Sequence, residues 1–274
     1  MSLLPFHDDR PIGVFDSGVG GLTVLKVLAE TFPQESFLYL GDTARLPYGS
    51  KSANTIRRYS EQNVHFLRKQ GVKAVVIACN SASSQFPEAL YEELPIYNVI
   101  HPGSRQALRL SQNKRIGILG TRATIKSAAY ATELKRLDSD VEVFSQACPL
   151  FVPLAEEGWD EDPITNLVVY RYVQPITQHG IDTLVLGCTH YPILKKAIEK
   201  VTGRGIALVD SGEAIAEQMT TDFANGQLHA QAPGSSQVIR VLTTDSSDHF
   251  TALARRILDP VQAHEFSVVD ITSV

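Results

Sequence analysis

The chain reads as an α/β protein made of two pseudo-symmetric α/β domains with mainly parallel sheets and an active site in the cleft between them. Three observations predict this. Short apolar runs alternate with helical patterns almost to the end. Most runs are apolar at successive positions, as in strands covered on both faces. Two segments also occur twice. IGVFDSGVGGLT at 12–23 has a counterpart in IGILGTRATIKS at 116–127, and AVVIACNSAS at 74–83 has one in TLVLGCTHYP at 183–192.

Taken in order, the strand patterns fall at 12–15, 37–40, 74–78, 96–100, 115–119, 141–144, 183–186, 206–209, 238–242 and 266–269. Leu22, Leu25, Lys26 and Ala29 begin a first helix on three- and four-residue spacing. Ile56, Tyr59, Ser60, Asn63, Phe66 and Leu67 mark a second, closed by Gly71. Pro163 suits the first turn of a helix through Gln178, with Gly180 beyond its end. Strands alternating with helices over short connections predict parallel sheets flanked by helices. Ile12 precedes Cys79 by 67 residues and Ile116 precedes Cys188 by 72, so each half is about one hundred residues long. The segment after Val209 holds two more helix patterns and two strand patterns. It is small for a core of its own and is expected to complete one of the halves. Within it, NGQLHAQAPGSSQ at 225–237 reads as a surface loop.

Composition narrows the function. At 274 residues, 43% hydrophobic and 20% charged, the chain is an ordinary globular protein. A formal charge of −5 gives no attraction for a polyanion, so nucleic acid is not the expected partner. No apolar run approaches a membrane span. Residues 1–11, MSLLPFHDDRP, meet Pro5 and two Asp before an apolar leader could form. Three cysteines without a C-x-x-C predict a reducing, cytoplasmic setting.

In open parallel sheets, ligands bind beyond the carboxyl ends of the strands. Four strand patterns end there on polar or reactive residues: Asp16-Ser17, Gly120-Thr121, Cys79-Asn80-Ser81 and Cys188-Thr189-His190. Facing halves would bring all four to one cleft. A single Cys beside a strand is ordinarily a small core hydrophobe. Two at equivalent points of a repeat, each followed by hydrogen-bonding residues, point instead to function. Cys148 has no counterpart and reads as structural. A lone His is ordinarily a satisfied polar residue, but His190 lies two positions from Cys188, where an imidazole tunes a thiol. Asp16 could equally bond its own loop.

DSGVGGLT is neither a dinucleotide fingerprint nor a P-loop, since Thr23 stands where the last Gly would be and no Lys-Ser or Lys-Thr follows. Its glycines fit a tight turn that lets a small substrate approach the backbone. Cys79, Cys188, His190 and Asp16 could form a zinc set, though without the close ligand pair such sites favour. They could also serve a hydrolase as nucleophile and base. Or each sulfur could be an acid or base on one face of a substrate, which is what inverting a stereocentre requires. No Lys or Arg lies inside either Cys motif, so neutral donors are expected to hold a substrate carboxylate.

The stretches IGVFDSGVGGLTVL, LYLGDTARLPYGSKS, ACNSAS, IGILGTRATIKS, ACPLFVPLAEEG and GCTHYPIL, in this order over 12–194, resemble the cofactor-independent glutamate racemases of the aspartate/glutamate racemase superfamily. The resemblance implies racemisation of L-glutamate to D-glutamate for peptidoglycan, with no cofactor and no metal. Racemisation of aspartate or another acidic amino acid, and a catalytically silent amino-acid binder, are the other readings. It implies Cys79 and Cys188 as catalytic acid and base, acting on the α-protons of D- and L-substrate respectively, with Asp16 and His190 assisting. Substrate contacts are implied at Asp16, Ser17, Pro47, Tyr48, Gly49, Asn80, Ser81, Thr121, Thr124, Thr189 and His190. Ser81 replaces the Thr common in the family and keeps its hydroxyl. The family fold returns the tail to the first domain, giving 1–100 with 210–274 and, separately, 101–209. The partner implied is the small molecule glutamate, rather than nucleic acid or a membrane, with a homodimer left open.

Overall fold

The computed structural model describes residues 7–86, 89–91 and 93–271. The elements are β1 (Ile12–Asp16), α1 (Leu22–Thr31), β2 (Phe37–Gly41), α2 (Ala53–Lys69), β3 (Ala74–Ile77), α3 (Asn80–Ser83), β4 (Ala89–Tyr91), β5 (Leu94–Asn98) and α4 (Ile100–Leu110). There follow β6 (Arg115–Gly120), α5 (Arg122–Ser127), α6 (Ala129–Leu137), β7 (Glu142–Ala147), α7 (Phe151–Glu156), α8 (Pro163–Thr177), β8 (Thr183–Gly187) and α9 (Lys195–Thr202). The tail adds β9 (Ala207–Asp210), α10 (Ser211–Ala224), β10 (Ile239–Thr243), α11 (Asp248–Leu258) and β11 (Glu265–Val268).

Among the described residues these strands form two sheets, ordered β11-β10-β2-β1-β3-β5-β4 and β7-β6-β8-β9. All pairings are parallel except β4 with β5. Buried residues cover both faces of each sheet, which is why β1, β2, β3 and β8 could be uninterrupted apolar runs. The sequence repeat reappears in the hydrogen-bonded register. Ile12 faces Ala74 in the first sheet, and Ile116 faces Thr183 in the second. The order β2-β1-β3-β5 thus has its counterpart in β7-β6-β8-β9. The equivalent strands β3 and β8 deliver Cys79 and Cys188 at the same end of equivalent sheets.

Side-chain caps fix the helix starts. The Ser52 hydroxyl accepts from Thr55 N–H at 3.3 Å, Thr121 from Thr124 N–H at 3.2 Å and Asp162 from Ile164 N–H at 2.7 Å. Pro163 occupies the first turn of α8, where its missing N–H costs nothing. Helices α4 and α10 pack on each other and join the two sheets.

Two local features differ from expectation. β4 was not foreseen, because it is a short antiparallel edge whose Ala-Leu-Tyr sequence has no strand-like alternation. The 225–237 segment lacks helix or strand but is not wholly superficial, since Leu228 and Gln231 are buried. A buried ion pair underlies it. Lys73 Nζ lies 2.6 Å from Glu35 Oε2 and donates to the carbonyls of Asp8 and His229, while Glu35 Oε1 accepts from Gln231 N–H. Residues 1–6, part of the 1–11 stretch in which no leader was expected, lie outside the described residues. Among the described residues no helix is long and apolar enough to cross a membrane.

Candidate active site

In the first half, β1 ends on Asp16 and the chain turns through the glycines into α1. Asp16 is fully buried. Its Oδ2 accepts from Gly18 N–H at 2.9 Å and its Oδ1 from the Thr189 hydroxyl at 3.3 Å, a bond between the halves. Cys79 leaves β3 and precedes α3, with its thiol directed at Ser17 Oγ, 3.8 Å away. Burial pushes the Cys79 thiol well up, and the Asp16 charge pushes it further. Backbone and Ser17 hydrogen bonds oppose this without cancelling it.

The second half places Cys188 after β8, its Sγ 3.9 Å from His190 Nδ1. On the other side of the ring, His190 Nε2 lies 3.0 Å from Glu156 Oε1 at the end of α7. Burial alone would lower the imidazole's pKa. Hydrogen bonds to Cys188 and Glu156, with their charges, outweigh it and raise His190 to about 10. His190 is therefore an imidazolium at neutral pH.

The halves meet closely. A Cβ on Gly20 would come within 2.4 Å of the His190 ring and 2.5 Å of Thr189 Oγ1. Sequence reasoning assigned the glycines to a substrate's approach; at Gly20 the space is taken by the second half instead. Thr23 Oγ1 also donates to the Thr189 carbonyl at 2.9 Å. Opposite, Ser81 and Thr121 hydroxyls are 2.9 Å apart and Thr121 and Thr124 hydroxyls 3.0 Å apart. Tyr130 donates to Asn80 Oδ1 at 2.6 Å, and Asn80 Nδ2 donates to Ser211 at 3.2 Å, so that amide is held in place.

These groups surround a cavity of about 340 Å³. Of the residues expected there, Ser17, Pro47, Tyr48, Gly49, Cys79, Asn80, Ser81, Thr121, Cys188, Thr189 and His190 line it. Asp16 and Thr124 do not; they sit behind the wall, bonded to Thr189 and Thr121. The Tyr48 hydroxyl is engaged away from the cavity, donating to Asp42 and accepting from Asn63. Among the lining residues given no catalytic or substrate role from sequence are Arg122, Glu156 and Cys148, the last read there as structural. Glu156 lay within a stretch already singled out, LAEEG, but adjacent carboxylates there gave no sign of which would reach His190. Among the described residues no cluster of His, Cys, Asp or Glu has metal-holding geometry, so the four residues weighed as a zinc set do not converge as ligands.

Fold and site together define a two-sheet α/β class of protein in which the equivalent strands β3 and β8 each deliver a thiol to a shared cavity. The chain belongs to the Asp/Glu/Hydantoin racemase family, whose pattern matches residues 12–219. A glutamate racemase of Sulfurihydrogenibium sp. (strain YO3AOP1) is 44% identical over 267 residues, covering 96% of this chain and all of that one. Among solved structures, a glutamate racemase isoform of Bacillus anthracis superposes with a TM-score of 0.90 at 36% identity, covering 96% of this chain and 98% of that one. The glutamate racemase of Francisella tularensis in complex with D-glutamate gives 0.88 at 34% identity, over 97% and 99%.

Proposed function

We propose that this protein is a glutamate racemase, an isomerase that interconverts L- and D-glutamate by two-base proton transfer between Cys79 and Cys188. The observation that carries the reading is a thiol from each sheet on one cavity of about 340 Å³, within the size range of small-molecule sites. Near-complete alignment with glutamate racemases supports the substrate.

The chemistry follows from the unequal surroundings of the thiols. A free thiol has a pKa of about 8.5, so few are ionised near neutrality. His190, protonated, sets a positive charge beside Cys188, where a thiolate would form. Cys79 is held as the neutral thiol by burial and by Asp16. This state is armed for L-glutamate. The Cys188 thiolate takes the α-proton, the electron pair left on Cα delocalises into the carboxylate, and the Cys79 thiol returns a proton to the opposite face. The product state has the proton on Cys188 and the charge on Cys79, and it is armed for D-glutamate.

Acid–base help alone gives about 10²–10⁴-fold, so orientation and donors to the developing enediolate supply the rest. Ser17, Asn80, Ser81 and Thr121 are the neutral donors for that, and Arg122 adds one cation at the cavity wall. No step in this scheme draws on a cofactor. The reading includes a cytoplasmic setting, D-glutamate supply to peptidoglycan, and two domains, 1–100 with 210–274 and 101–209. The test is L-glutamate in D₂O. Deuterium at Cα accompanied by D-glutamate is the expected result; binding of both enantiomers without exchange would overturn it.

A further inference from the structure

Tyr130 does not line the cavity, yet it touches both strand ends that deliver the thiols. It is buried in α6, in one apolar cluster with Ile116 and Val185 of the second sheet. Its ring is gripped at opposite edges. A Cβ on Gly103 of α4 would come within 3.3 Å of Cε1, and one on Gly187, the residue before Cys188, within 3.3 Å of Cε2. At its tip the hydroxyl donates at 2.6 Å to Oδ1 of Asn80, the residue after Cys79. One side chain thus reaches from the strand of the second thiol to the strand of the first.

The hydroxyl belongs to a closed ring of hydrogen bonds. Tyr130 donates to Asn80 Oδ1, Asn80 Nδ2 donates to Ser211 at 3.2 Å, and Ser211 bonds back to the Tyr130 hydroxyl. With the one Tyr130 proton committed to Asn80, that last bond runs from Ser211 to the Tyr130 oxygen. Burial keeps the phenol protonated, so it stays a donor. The three residues come from three places. Asn80 starts α3 in the first half, Tyr130 lies in the second, and Ser211 starts α10, where the chain leaves the second sheet after β9 and packs on α1. The ring closes only while the halves keep this spacing.

A side-chain amide has an acceptor end and a donor end of nearly the same shape, so its partners decide which end a ligand meets. Here Tyr130 occupies Oδ1 and Ser211 takes one Nδ2 proton. The second Nδ2 proton is left for a molecule in the cavity that Asn80 lines. We propose that Tyr130 is a positioning residue for racemisation, locking the Asn80 amide with its donor end toward the substrate carboxylate. The proposal rests on the reading of the protein as a glutamate racemase. A reversed amide would set a carbonyl oxygen against a carboxylate and its enediolate, turning an attraction into a repulsion.

The test uses the full chain. Tyr130→Phe removes one oxygen and keeps the ring in its slot. Asn80 Oδ1 is then left with Ser211 alone, 3.5 Å away, and the amide is free to reverse. The variant is expected to lower kcat/KM about tenfold, equally for L- and D-glutamate. A merely structural loss would act whatever stood at residue 80, so the deciding readout is a double-mutant cycle. In an Asn80→Ala background, Tyr130→Phe should change kcat/KM by less than about twofold. Ser211→Ala opens the ring from its other side and should cost about threefold, again only with Asn80 present. Circular dichroism checks that each variant is folded. Tyr130→Phe at wild-type speed, or an undiminished tenfold loss in the Asn80→Ala background, overturns the proposal. If Tyr130→Phe fails to fold, wild-type speed in Ser211→Ala overturns it instead. Deuterium uptake by the wild type in D₂O keeps the two readings apart. Its absence would remove the racemase reading and this one together, whereas uptake alongside any of those results removes only the role of Tyr130.

Discussion

The ends of β3 and β8 are the same piece of architecture used twice, yet their surroundings differ. Cys79 faces a hydroxyl, Ser17, with the buried anion Asp16 behind it. Cys188 faces an imidazolium that is held in turn by Glu156. Duplication set both sulfurs at one cavity; the neighbours then divided their tasks. One thiol is kept protonated by burial and the other has an imidazole beside it, and the proposed division into acid and base rests on that difference. Symmetry of position is separable from symmetry of chemistry.

The largest expected effect tests whether both members are needed. Cys79→Ser and Cys188→Ser should each lower racemisation by about 10³-fold or more, since a hydroxyl is far less acidic than a thiol. Polarimetry on both enantiomers measures this, and a serine variant at full speed would break the comparison outright. His190→Asn is expected to cost about 10²-fold. Because the enantiomers have equal free energy in solution, kcat/KM must fall equally in both directions. The unequal roles should show in kcat and KM taken separately, with kcat from L-glutamate reduced more than kcat from D-glutamate.

Glu156→Gln sharpens the second member. His190 sits at about 10 in the folded protein against 6.5 for the free group, so the fold binds the extra proton between those values. Stability from this site is complete below about pH 6.5 and is lost as pH rises through about 10. Removing the Glu156 charge should lower the folded value, move the alkaline limb of kcat to lower pH and reduce activity by about tenfold. Urea unfolding should then show less stability lost between pH 7 and 10 in the variant than in the wild type. The smallest effect is expected for Ser17→Ala. Its contact with Cys79 spans 3.8 Å, so a loss of about threefold is anticipated, chiefly in kcat from D-glutamate.

Much of this was legible in the sequence because strand and thiol come in repeated units. The apolar runs at 12–15 and 115–119 announce central strands, and the Cys that follows each of the paired runs at 74–78 and 183–186 announces the cavity. Less visible was anything decided by packing between distant segments. Glu156 meets His190 across 34 residues, and no local pattern encodes that meeting. The family resemblance implied substrate contacts at Asp16 and Thr124, yet each lies one layer back, bonded to a residue that lines the cavity. Tyr48 lines it with its ring while its hydroxyl serves Asp42. A sequence shows which residues reach a sheet end; which side chain turns inward depends on partners drawn from the other half.

The absent side chain at Gly20 has a mechanical consequence. The imidazole of the second half rests in a hollow of the first that one methyl group would fill, with a carbon only 2.4 Å from the ring. Any swing that parts the sheets to admit an amino acid must lift that ring from its seat. Were loading to part the sheets, it would disturb the proton inventory of the site in the same movement.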